Sequence, residues 1–300
     1  DGQDVLRGAE GWSGDTFRVE SGLANLDSIE SIDGGSATDT ILAGSGNDTL
    51  DFGNMTIANV ERIDAGAGDD TVTGTSGADT IIGNAGNDVL NGGAGNDSFV
   101  IEGTGAGTDQ FHGGDGQDVL RGAEGWSGDT FRVESGLANL DSIESIDGGS
   151  ATDTILSGSG NDTLDFSNMT IANVERIDAG SGNDIVTGSD GTDSIFGNAG
   201  SDTIYSSEGS DYLDGGADED LFILQTATFE SNDWVQHVEG GTGSDTVRLD
   251  GLGDDWVVSI DGQEIDTSES GSFDFNDNQA HTISIGDSTV VIDDVEKLEW

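Results

Sequence analysis

Residues 65–100 read AGAGDDTVT, GTSGADTII, GNAGNDVLN and GGAGNDSFV, four abutting nonapeptides that begin at Ala65, Gly74, Gly83 and Gly92. They share the form Gly-Gly-x-Gly-x-Asp-x-U-x, with U a large apolar residue. The same unit recurs five times without a break over 179–223, in pairs at 34–51, 104–121 and 148–165, and singly at 240–248 as GGTGSDTVR. A unit this short cannot bury an apolar face alone, so neighbouring units must stack to build a core. Ile81, Leu90, Phe99, Ile195, Ile204, Leu213 and Phe222 stand at position 8 and are the expected inward ladder.

A second repeat operates on a larger scale. Residues 1–68 return at 115–182 with three differences, Ala43/Ser157, Gly53/Ser167 and Ala67/Ser181. Near-identity over such a length marks a tandem duplication, which suits structural arrays better than active sites. The expected organisation is a repeat unit at 1–114, its duplicate at 115–228, and a β-rich cap at 229–300 carrying one more nonapeptide. Ahead of the runs lies another motif, Ile57-Ala58-Asn59-Val60-Glu61-Arg62-Ile63-Asp64, with related forms at Leu26 to Asp33, Leu140 to Asp147, Ile171 to Asp178 and Ile292 to Glu299. Segments 8–33 and 52–64 and their copies read as expanded coils, and Asp-Thr-Phe at 15–17 and 129–131 mimics positions 6 to 8 inside a stretched turn. In the cap, Asp261-Gly262 and Gly286-Asp287 each sit between apolar-rich segments and predict two hairpins. The chain opens on Asp1-Gly2-Gln3-Asp4, inside a motif that recurs later, and reads as a segment of something longer.

Composition narrows the function. Acids outnumber bases 61 to 8, giving a net charge of -53, with 50 Gly, no Pro and no Cys. Asp is a poor helix former and a good turn former, which argues against helical bundles. Disulfides are impossible. The charge opposes binding to nucleic-acid phosphates or to an anionic membrane surface, and no apolar run is long enough to span a bilayer. Charge of this size favours disorder. Yet 32% of the residues are hydrophobic, including 11 Phe and 5 Trp. A chain that can pack a core against such self-repulsion needs cations.

The run of nonapeptides resembles the RTX family, the hemolysin-type calcium-binding repeats of secreted bacterial proteins. The resemblance implies an all-β fold, a right-handed parallel β-roll (β-solenoid), here with expanded coils and a C-terminal β-rich capping segment. In the family each nonapeptide gives a six-residue turn and a short strand. Successive units lie on opposite sides, so turns eighteen residues apart stack along one edge.

Within that architecture the residue types make chemical sense. Gly at positions 1, 2 and 4 permits positive φ and close backbone approach. Calcium takes about six to eight hard oxygens and accepts carbonyls and carboxylates together. One turn cannot supply enough of them, but two stacked turns can. The candidate ligands are the position-6 residues Asp48, Asp70, Asp79, Asp88, Asp97, Asp109, Asp118, Asp162, Asp184, Asp193, Asp202, Asp211, Asp220 and Asp245. With them go the turn glycines Gly66, Gly68, Gly83, Gly86, Gly92, Gly93, Gly95, Gly113, Gly114, Gly116, Gly180, Gly182, Gly197 and Gly200. Stacking pairs Asp70 with Asp88, Asp79 with Asp97, Asp184 with Asp202, Asp193 with Asp211 and Asp202 with Asp220. Ile101-Glu102-Gly103 interrupts the register. Asp88 can still meet Asp109, and Asp97 can meet Asp118, if those three residues bulge outward. Ala37, Ala151, Ser206-Ser207 and Asp218 depart from the glycine pattern and mark weak or empty turns. About ten Ca2+ ions are expected from the paired-turn rule.

No catalytic constellation accompanies the repeats. His112, His237 and His281 stand apart from any zinc or triad motif, and there is no Cys nucleophile. The expected function is a calcium-driven structural module, not an enzyme, in a monomeric stalk secreted to the bacterial cell surface. Its partners are calcium and neighbouring repeats of the same longer chain. Two alternatives stand beside it. One is the secretion and folding tail of an exoenzyme. The other is a module binding a surface polysaccharide through Trp12, Trp126 or the aromatics of 224–300.

Overall fold

The computed structural model describes residues 4–9, 14–26, 28–102, 107–123, 128–225, 235–252, 257–275, 279–286 and 288–300. Trp12, Trp126, Trp234, Trp256 and Gly103 lie outside the described residues. The fold is nearly all strand, with parallel coils stacked into a β-solenoid of about ten turns. The residues pack as two compact units, Asp1–Val133 with Ala138–Asp153, and Glu134–Leu137 with Thr154–Trp300.

In the first unit each nonapeptide delivers a strand of three to six residues. Thr71–Thr73, Val89–Ala94 and Gln110–Asp115 run parallel in one sheet, with Val72, Leu90 and Phe111 in register. Thr80–Ile82, Ser98–Ile101 and Val119–Gly122 run parallel in another, with Ile81, Phe99 and Leu120 in register. Side chains alternate along a strand, so a three-residue strand turns its middle residue inward and its neighbours outward. Position 8 is that middle residue, and Ile81, Leu90, Phe99 and Leu120 are all buried. Phe99 and Phe111 meet edge to face across the thin core, ring centroids 5.5 Å apart.

Contrary to an outward bulge over 101–103, Ile101 is buried and pairs with Gly122 at the end of its strand. Its side chain continues the inward alternation begun by Phe99, so burying it keeps both the ladder and the apolar contact. Glu102 is exposed.

The second unit repeats this logic. Ile195, Leu213, Val238 and Ile292 form one ladder, and Ile204, Phe222, Val247 and Leu298 form the other. Both hairpins are present. Val258–Ile260 and Gln263–Ile265 pair antiparallel about Asp261 and Gly262, whose φ values of 50° and 77° suit a tight two-residue hairpin turn. His281–Ile285 pairs antiparallel with Ser288–Asp293, and Ser272–Asp274 pairs antiparallel with Lys297–Glu299. Both strands of the final parallel coil are thereby covered, and the sheets end instead on the short strands Gln263–Ile265 and Ser272–Asp274. Among the described residues no helix is long and apolar enough to cross a membrane.

Candidate metal sites along the turn edges

The turns between strands bring the position-6 aspartates into columns. In each column one carboxylate oxygen holds the coil before it. The amide of Asp70 donates to Asp88 Oδ1 at 2.7 Å, and that of Asp88 donates to Asp109 Oδ1 at 2.9 Å. On the opposite edge, Asp79 donates to Asp97 and Asp97 to Asp118, at 2.8 and 2.7 Å. The second unit has the same contacts, Asp184 to Asp202, Asp202 to Asp220 and Asp220 to Asp245 at 2.7–2.8 Å, and Asp193 to Asp211 at 3.1 Å. Asp48 and Asp162 start their columns by donating to Asp70 and Asp184. The extra residues between 100 and 109 therefore leave the column intact.

The second carboxylate oxygen is the informative atom. Among the described residues, Oδ2 of Asp39, Asp70, Asp88, Asp97, Asp118, Asp184, Asp202, Asp211, Asp220 and Asp245 is buried with no hydrogen-bond partner. A buried carboxylate oxygen left unpaired is costly, and here it recurs at the same position of successive repeat units, so one missing partner type explains the whole row. Position-1 glycines make the space for it. A Cβ on Gly83, Gly92, Gly113 or Gly197 would come within 2.1–2.4 Å of the Oδ2 of Asp88, Asp97, Asp118 or Asp202 respectively. These glycines are required for room and not for φ. Positive φ is confined to later positions, with Gly66, Gly93, Gly114 and Gly180 at 94–110° for position 2 (95°, 109°, 100° and 96°) and Gly68, Gly86, Gly95, Gly116, Gly182 and Gly200 at 121–153° for position 4. Successive turns also touch through their carbonyls, since a Cβ on Gly86 would lie 2.0 Å from the Gly68 oxygen.

Burial sets the electrostatics of the edges. Desolvation raises Asp70, Asp97, Asp193, Asp202 and Asp245 to about 6, and Asp109, Asp211 and Asp220 to about 7, against the ordinary 3.8. Neighbouring aspartates in the column push most of them further up. Desolvation also raises Asp79, Asp88, Asp118 and Asp184. A multivalent cation with hard-oxygen preference answers both problems, giving Oδ2 a partner and the column a counter-charge. No three His, Asp or Glu side chains converge on one point among the described residues. The donors that fit are mixed, one carboxylate per turn plus turn carbonyls. That mixture matches calcium, which accepts carbonyl oxygens and irregular geometry, better than metals needing imidazole or thiolate.

The sequence profile of the RTX calcium-binding nonapeptide repeat matches residues 27–54, 64–99, 104–126, 142–166, 172–204 and 187–222, more than half of the chain. The chain belongs to the RTX calcium-binding repeat family. No curated protein matches it.

Some members of this RTX chain's edge escape the nonapeptide pattern. Glu61 Oε2 accepts the Asp39 amide at 2.6 Å, Glu144 the Asp118 amide at 2.8 Å, and Glu296 the Asp245 amide at 2.7 Å. Glu30 does the same for Asp4, and Gln236 for Asp211. Each stands where position 6 falls, two residues before the inward apolar side chain, as Glu61-Arg62-Ile63 shows. That spacing was the available signal in the Ile57 to Asp64 motif. Its terminal Asp64 faces outward, pairing with Arg62 at 2.7 Å and accepting from Asn84 at 2.7 Å. Asp39 is fully buried with an unpartnered Oδ2 although Ala37 replaces the position-4 glycine of its unit. At the column ends the carboxylates are satisfied locally: Asp48 Oδ2 accepts the Gly44 amide at 3.1 Å, and Asp162 Oδ2 the Ser157 hydroxyl at 2.8 Å.

Proposed function

We propose that this chain is a calcium-dependent folding module of a secreted bacterial surface protein, acting as a stalk and not as an enzyme. The unpartnered, buried Oδ2 atoms carry the reading. The aspartate turns and their carbonyls would hold the ions, and calcium would supply charge neutralisation and a clip between successive coils. Without it, -53 formal charges and columns of desolvated carboxylates oppose a core whose strands mostly span three to six residues. Metal binding and folding are then one equilibrium.

The location follows from that coupling. Cytosolic calcium is too low for modules of the extracellular affinity class, so the chain stays extended inside, a state suited to one-step (type I) export. Outside, millimolar calcium folds it. Tandem duplication supports a stalk, because near-identical coils add length, and neighbouring repeats of a longer chain are its natural partners; the module itself is monomeric. Small-angle scattering of the chain in chelator and in about 5 mM calcium tests this. Collapse from an expanded coil to a compact particle of one chain's mass is expected. A particle of the same dimensions in both conditions would remove the folding switch.

A further inference from the structure

Two turns combine three features that no other described turn is shown to combine. They are 74–82 and 188–196, and they occupy equivalent places in the two copies. The first departure is in sequence: position 2 is Thr75 in one and Ser189 in the other. The second is in the backbone. Gly66, Gly93, Gly180 and Gly216 at position 2 have φ of 95–109°, whereas Thr75, Gly77, Ser189 and Gly191 have no positive φ, a trait shared only with the column-end glycines Gly44, Gly46, Gly158 and Gly160 among turns with glycine at both positions.

The third departure is in the carboxylate. The Thr75 amide and hydroxyl donate to Asp79 Oδ2 at 2.6 and 3.0 Å, and Thr75 Oγ1 accepts the Gly77 amide at 3.0 Å. Ser189 repeats the arrangement. Its amide donates to Asp193 Oδ2 at 2.8 Å, its hydroxyl reaches both carboxylate oxygens at 3.1 and 3.3 Å, and the Gly191 amide donates to Ser189 Oγ at 3.3 Å. The oxygen that lies bare at Asp88, Asp97, Asp184 and Asp202 is thus already partnered at Asp79 and Asp193.

We infer that these two turns are closed without a metal ion, the position-2 hydroxyl taking the place that calcium takes elsewhere. This rests on the calcium-module reading and sharpens it, because Asp79 and Asp193 leave the ligand set. Side-chain hydroxyls that bond a nearby carboxylate and backbone amide are a standard local turn closure. Each copy then carries one coil whose turn forms independently of calcium, dividing the ion column on that edge.

Native mass spectrometry of the whole chain at saturating calcium reads the ion count directly. Asp79→Asn with Asp193→Asn keeps an acceptor for the Thr75 and Ser189 donors, so the fold stands, and the count is expected to equal that of the unmodified chain. Asp88→Asn with Asp202→Asn is expected to lower it. Thr75→Gly with Ser189→Gly is expected to raise it by up to two ions. Loss of ions in the Asp79/Asp193 variant, or no gain in the Thr75/Ser189 variant, overturns the inference. An unmodified chain that binds no calcium overturns the underlying reading instead.

Discussion

At the scale of single residues, one aspartate does two jobs. Oδ1 of Asp97 fastens the coil before it through the Asp79 amide, while Oδ2 is held bare beside Gly92. Gly92→Ala would place a Cβ 2.1 Å from that oxygen. The expected result is a weaker calcium response and a lower melting temperature in calcium, read by calorimetry. The carboxylates also predict a pH dependence. In the cation-free fold Asp109, Asp211 and Asp220 titrate near 7 and Asp70, Asp97 and Asp202 near 6, all above their unfolded value of 3.8. The fold thus holds more protons than the unfolded chain, and its stability is full below about pH 4 and lost as pH rises through about 6–7. In chelator, acidification from about pH 7.5 to about pH 5 should increase the folded fraction, measured by circular dichroism. In calcium the same acidification should raise the calcium midpoint, because protons compete for Oδ2. A folded fraction in chelator that falls on acidification would contradict the burial argument.

At the scale of the element, the coil is a turn plus one inward side chain, and much of it is legible in sequence. The nonapeptide phase gives the inward residue directly, and Ile81, Leu90 and Phe99 are buried where the phase puts them. The two hairpins of the cap follow from Asp261-Gly262 and from the apolar segments flanking Gly286. Less legible are the coils that swap Asp for a longer acceptor. Glu61, Glu144, Glu296 and Gln236 each reach a backbone amide of the coil before, a pairing between two coils that no single motif states. The role of position 1 was equally hidden, since room beside Oδ2 appears only once the turn is built. Thr75 and Ser189 stand where the unit form has its second Gly, and only the built turn puts their hydroxyls on Asp79 and Asp193. For the core, Phe99→Ala removes a fully buried ring that meets Phe111, and should cost about 3–5 kcal/mol in calcium, read by chemical denaturation. A cost below about 1 kcal/mol would mean the ladder is not the core.

At the scale of the whole molecule, the sequence states the conflict and the fold shows where it is resolved. A net charge of -53 and a hydrophobic fraction of 32% pull in opposite directions. The solenoid gathers the carboxylates that matter into turn columns and leaves the strands to the apolar ladder. The central claim is that calcium completes those columns and thereby the fold. Far-UV circular dichroism during a calcium titration, with magnesium as the control, tests it most directly. Magnesium demands near-octahedral geometry and dehydrates reluctantly, so a site built of turn carbonyls and single carboxylates should discriminate against it. A cooperative gain of β-signal with calcium, and none with magnesium at the same concentration, is the predicted result. A chain already fully folded in excess chelator at neutral pH would contradict it.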